Sequence, residues 1–229
     1  MLLLSSPVIS YADSPNGEAP EKERLLRFSV ADEDGTGMYL LLPGSARIRF
    51  AERAGDFRDV PDTSWAKGAV DFVSGREIFN GFGNGRFEPN VEMTNAMMCQ
   101  ILYNLEDGAA SSGSAGGAWY AAAKDWAAKT GLLQGLDAAT APESAISKQD
   151  ALLMLYRYAG SPAPGASAAD LSRYSDAGAV AEYARDAVRW AAGYSLLSGG
   201  KSSVLDPEGS LTRYQAAKMI MNYISLCVK

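Results

Sequence analysis

IFNGFGNGRFEPNVEMTNAM, residues Ile78 to Met97, is the stretch from which the rest of the chain is read. It runs through an apolar helix end, a glycine-rich turn, a buried aromatic (Phe87), a proline (Pro89) and a hydroxyl that can cap a helix (Thr94). Variants of it recur twice. Moving the sequence by 54 positions lays Trp65 on Trp119, Asp71 on Asp125, Phe72 on Trp126, Ile78 on Leu132 and Gly81 on Gly135. Moving it by 118 lays Trp65 on Tyr183, Phe72 on Trp190, Ile78 on Leu196, Gly81 on Gly199, Phe87 on Leu205, Pro89 on Pro207 and Thr94 on Thr212. The second copy is one residue shorter in its loop, so Pro89 meets Pro142 and Thr94 meets Ser147. Self-similarity at this period marks a repeat architecture.

Each copy predicts two helices. The first covers 64–74, 119–130 and 181–192, where Trp65, Ala69, Phe72 and Val73 follow the spacing of a one-sided helix. The second covers 95–106, 148–158 and 213–226. GAASSGSAGG (108–117) and GSPAPGASAA (160–169) are linkers by composition. The copies are therefore bounded at 56–107, 118–160 and 174–229. Upstream, 25–55 reads as short strands around the turns at Asp34-Gly35 and Pro43-Gly44, either an appendage or the end of an upstream β domain. Residues 1–24 read as a signal remnant or a disordered linker. Leu2 to Ile9 is apolar and Ser10-Tyr11-Ala12 resembles a cleavage site, but no basic residue precedes them.

Composition narrows the chemistry. The 229 residues contain no histidine, which removes Ser–His and Cys–His catalysis and the commonest metal ligand. Two cysteines, Cys99 and Cys227, cannot build a zinc site and are read as free thiols. The net charge of −6 disfavours nucleic acid as partner. No run reaches the ~18 apolar residues of a membrane span. The first copy carries nine acids and four bases, the third five acids and six bases, so an anionic partner would prefer the C-terminal copy. No acid pair suggests a hydrolase, and no cofactor is expected.

Thr94, Ser147 and Thr212 are read as N-caps of the second helices; Thr212 to Gln215 forms a capping box. Lys148 and Arg213 then sit in the first helical turn, where the helix dipole disfavours a cation. Either they meet an anion at a helix start, or they are solvated cations tolerated at small cost. The first copy has Asn95 there. Gly81, Gly83 and Gly85 make a tight turn or contact a ligand. Trp65, Trp119 and Tyr183 open the first helices, either packed in the core or stacked on a sugar at a cleft rim.

Phe57-Arg58-Asp59-Val60, the Trp65 helix, the glycine loop through Pro89 and Thr94 together resemble the S-layer homology (SLH) domain, whose pattern ends in a T-R-A-E cap. The first copy matches start, helix and loop; the third matches helix, proline and Thr212-Arg213; the second is most degenerate. The resemblance implies a mainly α fold, three tandem helix-loop-helix SLH repeats in a pseudo-threefold spindle with a small N-terminal β appendage. It implies a secreted, bacterial, non-enzymatic module that anchors a cargo domain to the cell wall. The implied ligand is an anionic secondary wall polysaccharide, often pyruvylated, held between repeats. Its implied site residues are Arg213, Thr212, Lys201, Gly199, Tyr183, Lys148, Ser147, Trp119, Trp65, Gly81, Gly83 and Thr94, with the main groove at Arg213 beside Lys201. The competing expectation is a helical interaction module that has lost glycan binding.

Overall fold

A computed structural model describes residues 8–13, 24–32, 37–41, 46–51, 56–106, 117–137, 141–163, 170–196 and 204–228. The chain is mainly helical and divides into two compact units, 1–89 with 220–229, and 90–219.

The first unit holds the strands. β1 (Val8–Asp13), β2 (Arg24–Leu26) and β5 (Ala46–Ala51) form an antiparallel sheet in the order β2-β1-β5, with Ile9 opposite both Leu26 and Phe50. β3 (Ser29–Ala31) and β4 (Met38–Leu40) form a separate hairpin. Val8–Asp13 was expected within a signal remnant or linker. It is instead the central strand of its sheet, as its β-branched and aromatic residues Val8, Ile9 and Tyr11 favour.

The hairpin is tied to α1 (Lys67–Gly75) by Arg76, which is 0% exposed. Its guanidinium donates to the Phe72 carbonyl (3.2 Å), the Ser29 carbonyl (2.9 Å) and Ser29 Oγ (3.2 Å), and lies 3.8 Å from the centre of the Phe72 ring. Burial pushes its pKa down to about 10. α1 buries Ala69, Val70, Phe72 and Val73, one face of the predicted helix. Phe87 is fully buried between Phe57 and Phe79, with ring centres 5.4 and 5.2 Å away.

The second unit holds α2 (Asn95–Leu105), α3 (Ala121–Lys129), α4 (Lys148–Tyr158) and α5 (Arg185–Gly193). α6 (Arg213–Val228) begins in this unit and ends in the first. α3 packs on α2 and α5 on α4. The same aromatic contact recurs at both junctions: Tyr103 meets Trp126 at 5.5 Å, and Tyr156 meets Trp190 at 5.5 Å. Local backbone repeats too. Glu77, Gly131 and Ser195, related by the offsets of 54 and 118, all have positive φ after the first helix. Cys99 is buried, and burial raises its thiol to about 11; Cys227 is exposed.

Three segments preceding the second helices bond in a closed ring. Met93 N–H donates to the Leu211 carbonyl (2.7 Å), Leu211 N–H to Ile146 (3.1 Å) and Ile146 N–H to Met93 (2.9 Å). All three side chains are buried. Short antiparallel bridges flank the ring at Glu92–Thr212, Thr94–Ala145 and Ser147–Ser210.

Candidate functional site

The ring positions the starts of α2, α4 and α6, and each start is capped by its own hydroxyl. Thr94 Oγ1 accepts from Met97 N–H (3.2 Å), Ser147 Oγ from Asp150 N–H (3.1 Å) and Thr212 Oγ1 from Gln215 N–H (3.3 Å). Gln215 Oε1 accepts in return from Thr212 N–H (2.9 Å), so the third cap is a reciprocal box.

The amides expected to stand open at these helix starts are occupied. Asn95 N–H donates to Ser144 (3.0 Å), Ala96 N–H to Pro142 (2.7 Å), Lys148 N–H to Gly209 (2.9 Å), Gln149 N–H to Pro207 (2.9 Å) and Arg213 N–H to Val91 (2.9 Å). The loop preceding another copy's second helix supplies each carbonyl. These backbone donors satisfy a neighbouring loop, so an anion at these starts would meet the side chains rather than these amides.

The first side chain of the helix follows its amide to the same loop. Asn95 Nδ2 donates to the Ala141 carbonyl (2.9 Å), and Lys148 Nζ lies 2.6 Å from Asp206 Oδ2. Ala141 and Asp206 are equivalent residues, each immediately before its loop proline. α4 begins with a cation and faces a carboxylate; α2 begins with an amide and faces a carbonyl. Arg213 is buried, at 2% exposed.

Between the second and third copies, three consecutive residues of α4 reach across. Besides the Lys148–Asp206 pair, Gln149 Oε1 accepts from Ala181 N–H (3.0 Å), and Asp150 Oδ1 from the Tyr183 hydroxyl (2.8 Å). Burial and the Asp150 carboxylate, with Asp137 and Glu208 nearby, push the Tyr183 hydroxyl up to about 12. Asp150 stands where Gln215 closes the box in the third copy, and its carboxylate serves Tyr183.

The three aromatics are not in the core. Trp65, Trp119 and Tyr183 each stand two residues before the first residue of α1, α3 or α5 and are 65%, 58% and 55% exposed. The core aromatics of these helices lie seven residues further on, at Phe72 and Trp190. An exposed flat ring at three equivalent positions can stack on an apolar sugar face.

The loop glycines have different duties. A methyl on Gly81 would stand 2.5 Å from both the Arg86 carbonyl oxygen and Phe57 Cε1. Gly83 and Gly85 have φ of +75° and +74°, a conformation glycine adopts without steric cost. Gly199 and Lys201 lie outside the described residues.

Two carboxylates not singled out from the sequence organise the loops. Asp59 accepts from Phe87 N–H (2.9 Å) and Glu88 N–H (2.7 Å). Asp176 accepts from Leu205 N–H (2.8 Å) and Asp206 N–H (2.6 Å). Burial raises Asp59, but the two amides and nearby Arg86 outweigh it and hold the carboxyl below its ordinary value. The Leu205 amide, aided by Asp206 N–H and Lys148, does the same for Asp176 against a smaller effect of burial. The signal was present: Tyr174-Ser175-Asp176 copies Phe57-Arg58-Asp59 at an offset of 117, one position away from the shift that aligns the loops.

Comparison with known proteins finds two regions of similarity to one family model and three relatives. Residues 56–96 and 173–217 match the family model of the S-layer homology domain. The chain is 29% identical over 72% of its length to an amylopullulanase of Thermoanaerobacterium thermosulfurigenes, covering 9% of that protein. It is 26% identical over 84% of its length to exoglucanase XynX of Acetivibrio thermocellus, covering 18%. It is 31% identical over 53% of its length to endo-1,4-beta-xylanase A of Thermoanaerobacterium saccharolyticum, covering 11%. The chain thus spans less than one fifth of the length of these relatives.

Proposed function

We propose that residues 56–228 form a non-catalytic module of three S-layer homology repeats that holds a secreted bacterial protein noncovalently to the cell wall. The observation that carries this reading is the pair of family matches, at 56–96 and 173–217. The repeated aromatic contacts and the closed ring support a third, diverged copy between them and a pseudo-threefold spindle. The relatives, named as polysaccharide-degrading enzymes, are matched over small fractions of their length, which suits a shared anchor with the cargo elsewhere on the polypeptide.

The ligand in this reading is an anionic, pyruvylated secondary wall polysaccharide. Trp65, Trp119 and Tyr183 stack on its sugars, Lys148 and Arg213 supply charge, and the main groove lies at Arg213. Thr94, Ser147, Thr212, Gly81, Gly83, Gly199 and Lys201 complete the sites. Cosedimentation with purified walls tests this. Binding should fall as salt screens the ligand, and walls stripped of attached polysaccharide should retain none. Undiminished binding to stripped walls would refute it. Arg213→Ala tests the assignment of the main groove and should weaken binding, with circular dichroism checking that loss of this buried side chain has not unfolded the module.

The second reading, a helical module that meets protein partners, is favoured by one observation: the Asn95 and Lys148 side chains already serve neighbouring loops. It predicts no cosedimentation with intact walls.

A further inference from the structure

Resting on the anionic-ligand reading above, we propose that Asp206 is a built-in competitor of the wall polymer, occupying the Lys148 ammonium in the ligand-free module so that an incoming anionic sugar must displace it.

The carboxylate is placed by its backbone conformation, by the group that holds that conformation and by the space beside it. Asp206 has a φ of +50°, a conformation unfavourable for a side-chain-bearing residue. Asp176 fixes that conformation by accepting from both Leu205 and Asp206 N–H. Gly209 leaves the space into which the carboxylate folds: a methyl there would collide with the Asp206 side chain. The loop is then docked on α4 through Lys148 N–H to Gly209 and Gln149 N–H to Pro207. Asp206 Oδ2 thereby meets Lys148 Nζ at 2.6 Å.

Competition follows from the exposures. The Lys148 side chain is 21% exposed and the Asp206 side chain 58%, so the cation is covered and its partner faces solvent. A half-exposed ion pair is weak enough to exchange for an external carboxylate. The equivalent junction between the first two copies has neither charge, only Asn95 and the Ala141 carbonyl. Cation and internal carboxylate thus occur together or not at all at these two junctions.

The experiment uses the whole chain and oligogalacturonate, which carries one carboxylate per sugar, with its methyl ester as an uncharged control. Titration calorimetry at low salt compares the wild type with Asp206→Asn. Asparagine accepts positive φ and keeps the shape; Asp206→Gly is a second variant that also fits this backbone. We expect both to bind oligogalacturonate roughly fivefold more tightly than wild type, the scale of one such ion pair. Methyl-ester binding should not change, and Lys148→Gln added to either variant should erase the gain. Equal or weaker binding of oligogalacturonate by both variants would overturn the inference, as would a gain that survives Lys148→Gln or no binding by any form. Wall cosedimentation decides the anchoring reading separately.

Discussion

Gly81→Ala probes the reason for the first loop glycine, and its cost can be worked from two distances. The added methyl would lie 2.5 Å from the Arg86 carbonyl oxygen and 2.5 Å from Phe57 Cε1. Carbon pairs normally meet at about 3.5–4.0 Å, so each neighbour would have to retreat by roughly 1 Å. Neither is loose. The Arg86 oxygen accepts from Phe82 N–H at 3.0 Å, and the Phe57 ring rests on Phe87. Overpacking of this kind costs about 1–3 kcal/mol, and loss of the Phe82 bond adds about 1 kcal/mol. Reduced freedom of the unfolded chain returns about 0.4–1 kcal/mol. The net expectation is a loss of about 1–3.5 kcal/mol.

Gly83→Ala is the control. It has positive φ but open space around its Cβ position, so only the left-handed cost of about 1–2 kcal/mol applies, less the same return. Urea unfolding followed by circular dichroism and tryptophan fluorescence should rank Gly81→Ala below Gly83→Ala, and thermal unfolding should place the Gly81→Ala melting temperature below wild type by roughly 2–14 °C. If the two variants were equally stable, or Gly81→Ala matched wild type, the steric argument would be wrong and a ligand-contact role for Gly81 would regain its force.

Three further outcomes are expected. Asp59 and Asp176 titrate below their ordinary value when folded, so their stabilisation is full above about pH 4 and is lost as pH falls through the lowered folded values; Asp59→Asn should flatten the acid side of a stability-versus-pH curve. Tyr183 should ionise only near pH 12 in an ultraviolet difference titration against Tyr183→Phe, and Asp150→Asn should lower that midpoint. Thr212→Ala should destabilise by about 1 kcal/mol in denaturant unfolding, with Gln215→Ala nearly non-additive because the two form one box.

The helices were legible because period and caps are local properties. Thr94, Ser147 and Thr212 cap as read, and α4 has the predicted bounds. The first helices start later than predicted because Trp65, Trp119 and Tyr183 lie in the turn before them. Aromatic content alone cannot distinguish a core ring from an exposed one. What could not be read was which groups face another copy. The positions of Lys148 and Asn95 in the first turn are sequence facts; that Asp206 and Ala141 stand opposite them depends on how the loops dock. β1 was missed because a strand needs its partners, and these are 13 residues away at the nearest register pair with β2, Tyr11 with Arg24, and 33 residues away at the nearest pair with β5, Asp13 with Ala46.

The bonds joining Met93, Ile146 and Leu211 have the arithmetic of a closed cycle. An open stack of repeats can grow or shrink at its end, losing one joint for each unit removed. Removing any member of this cycle breaks two of its three joints and strands a buried donor and a buried acceptor, each at a cost of about 1–3 kcal/mol. The second copy therefore holds two of the three joints through the backbone amide and carbonyl of Ile146, whatever its motif residues have become, provided an apolar side chain still fills the buried position.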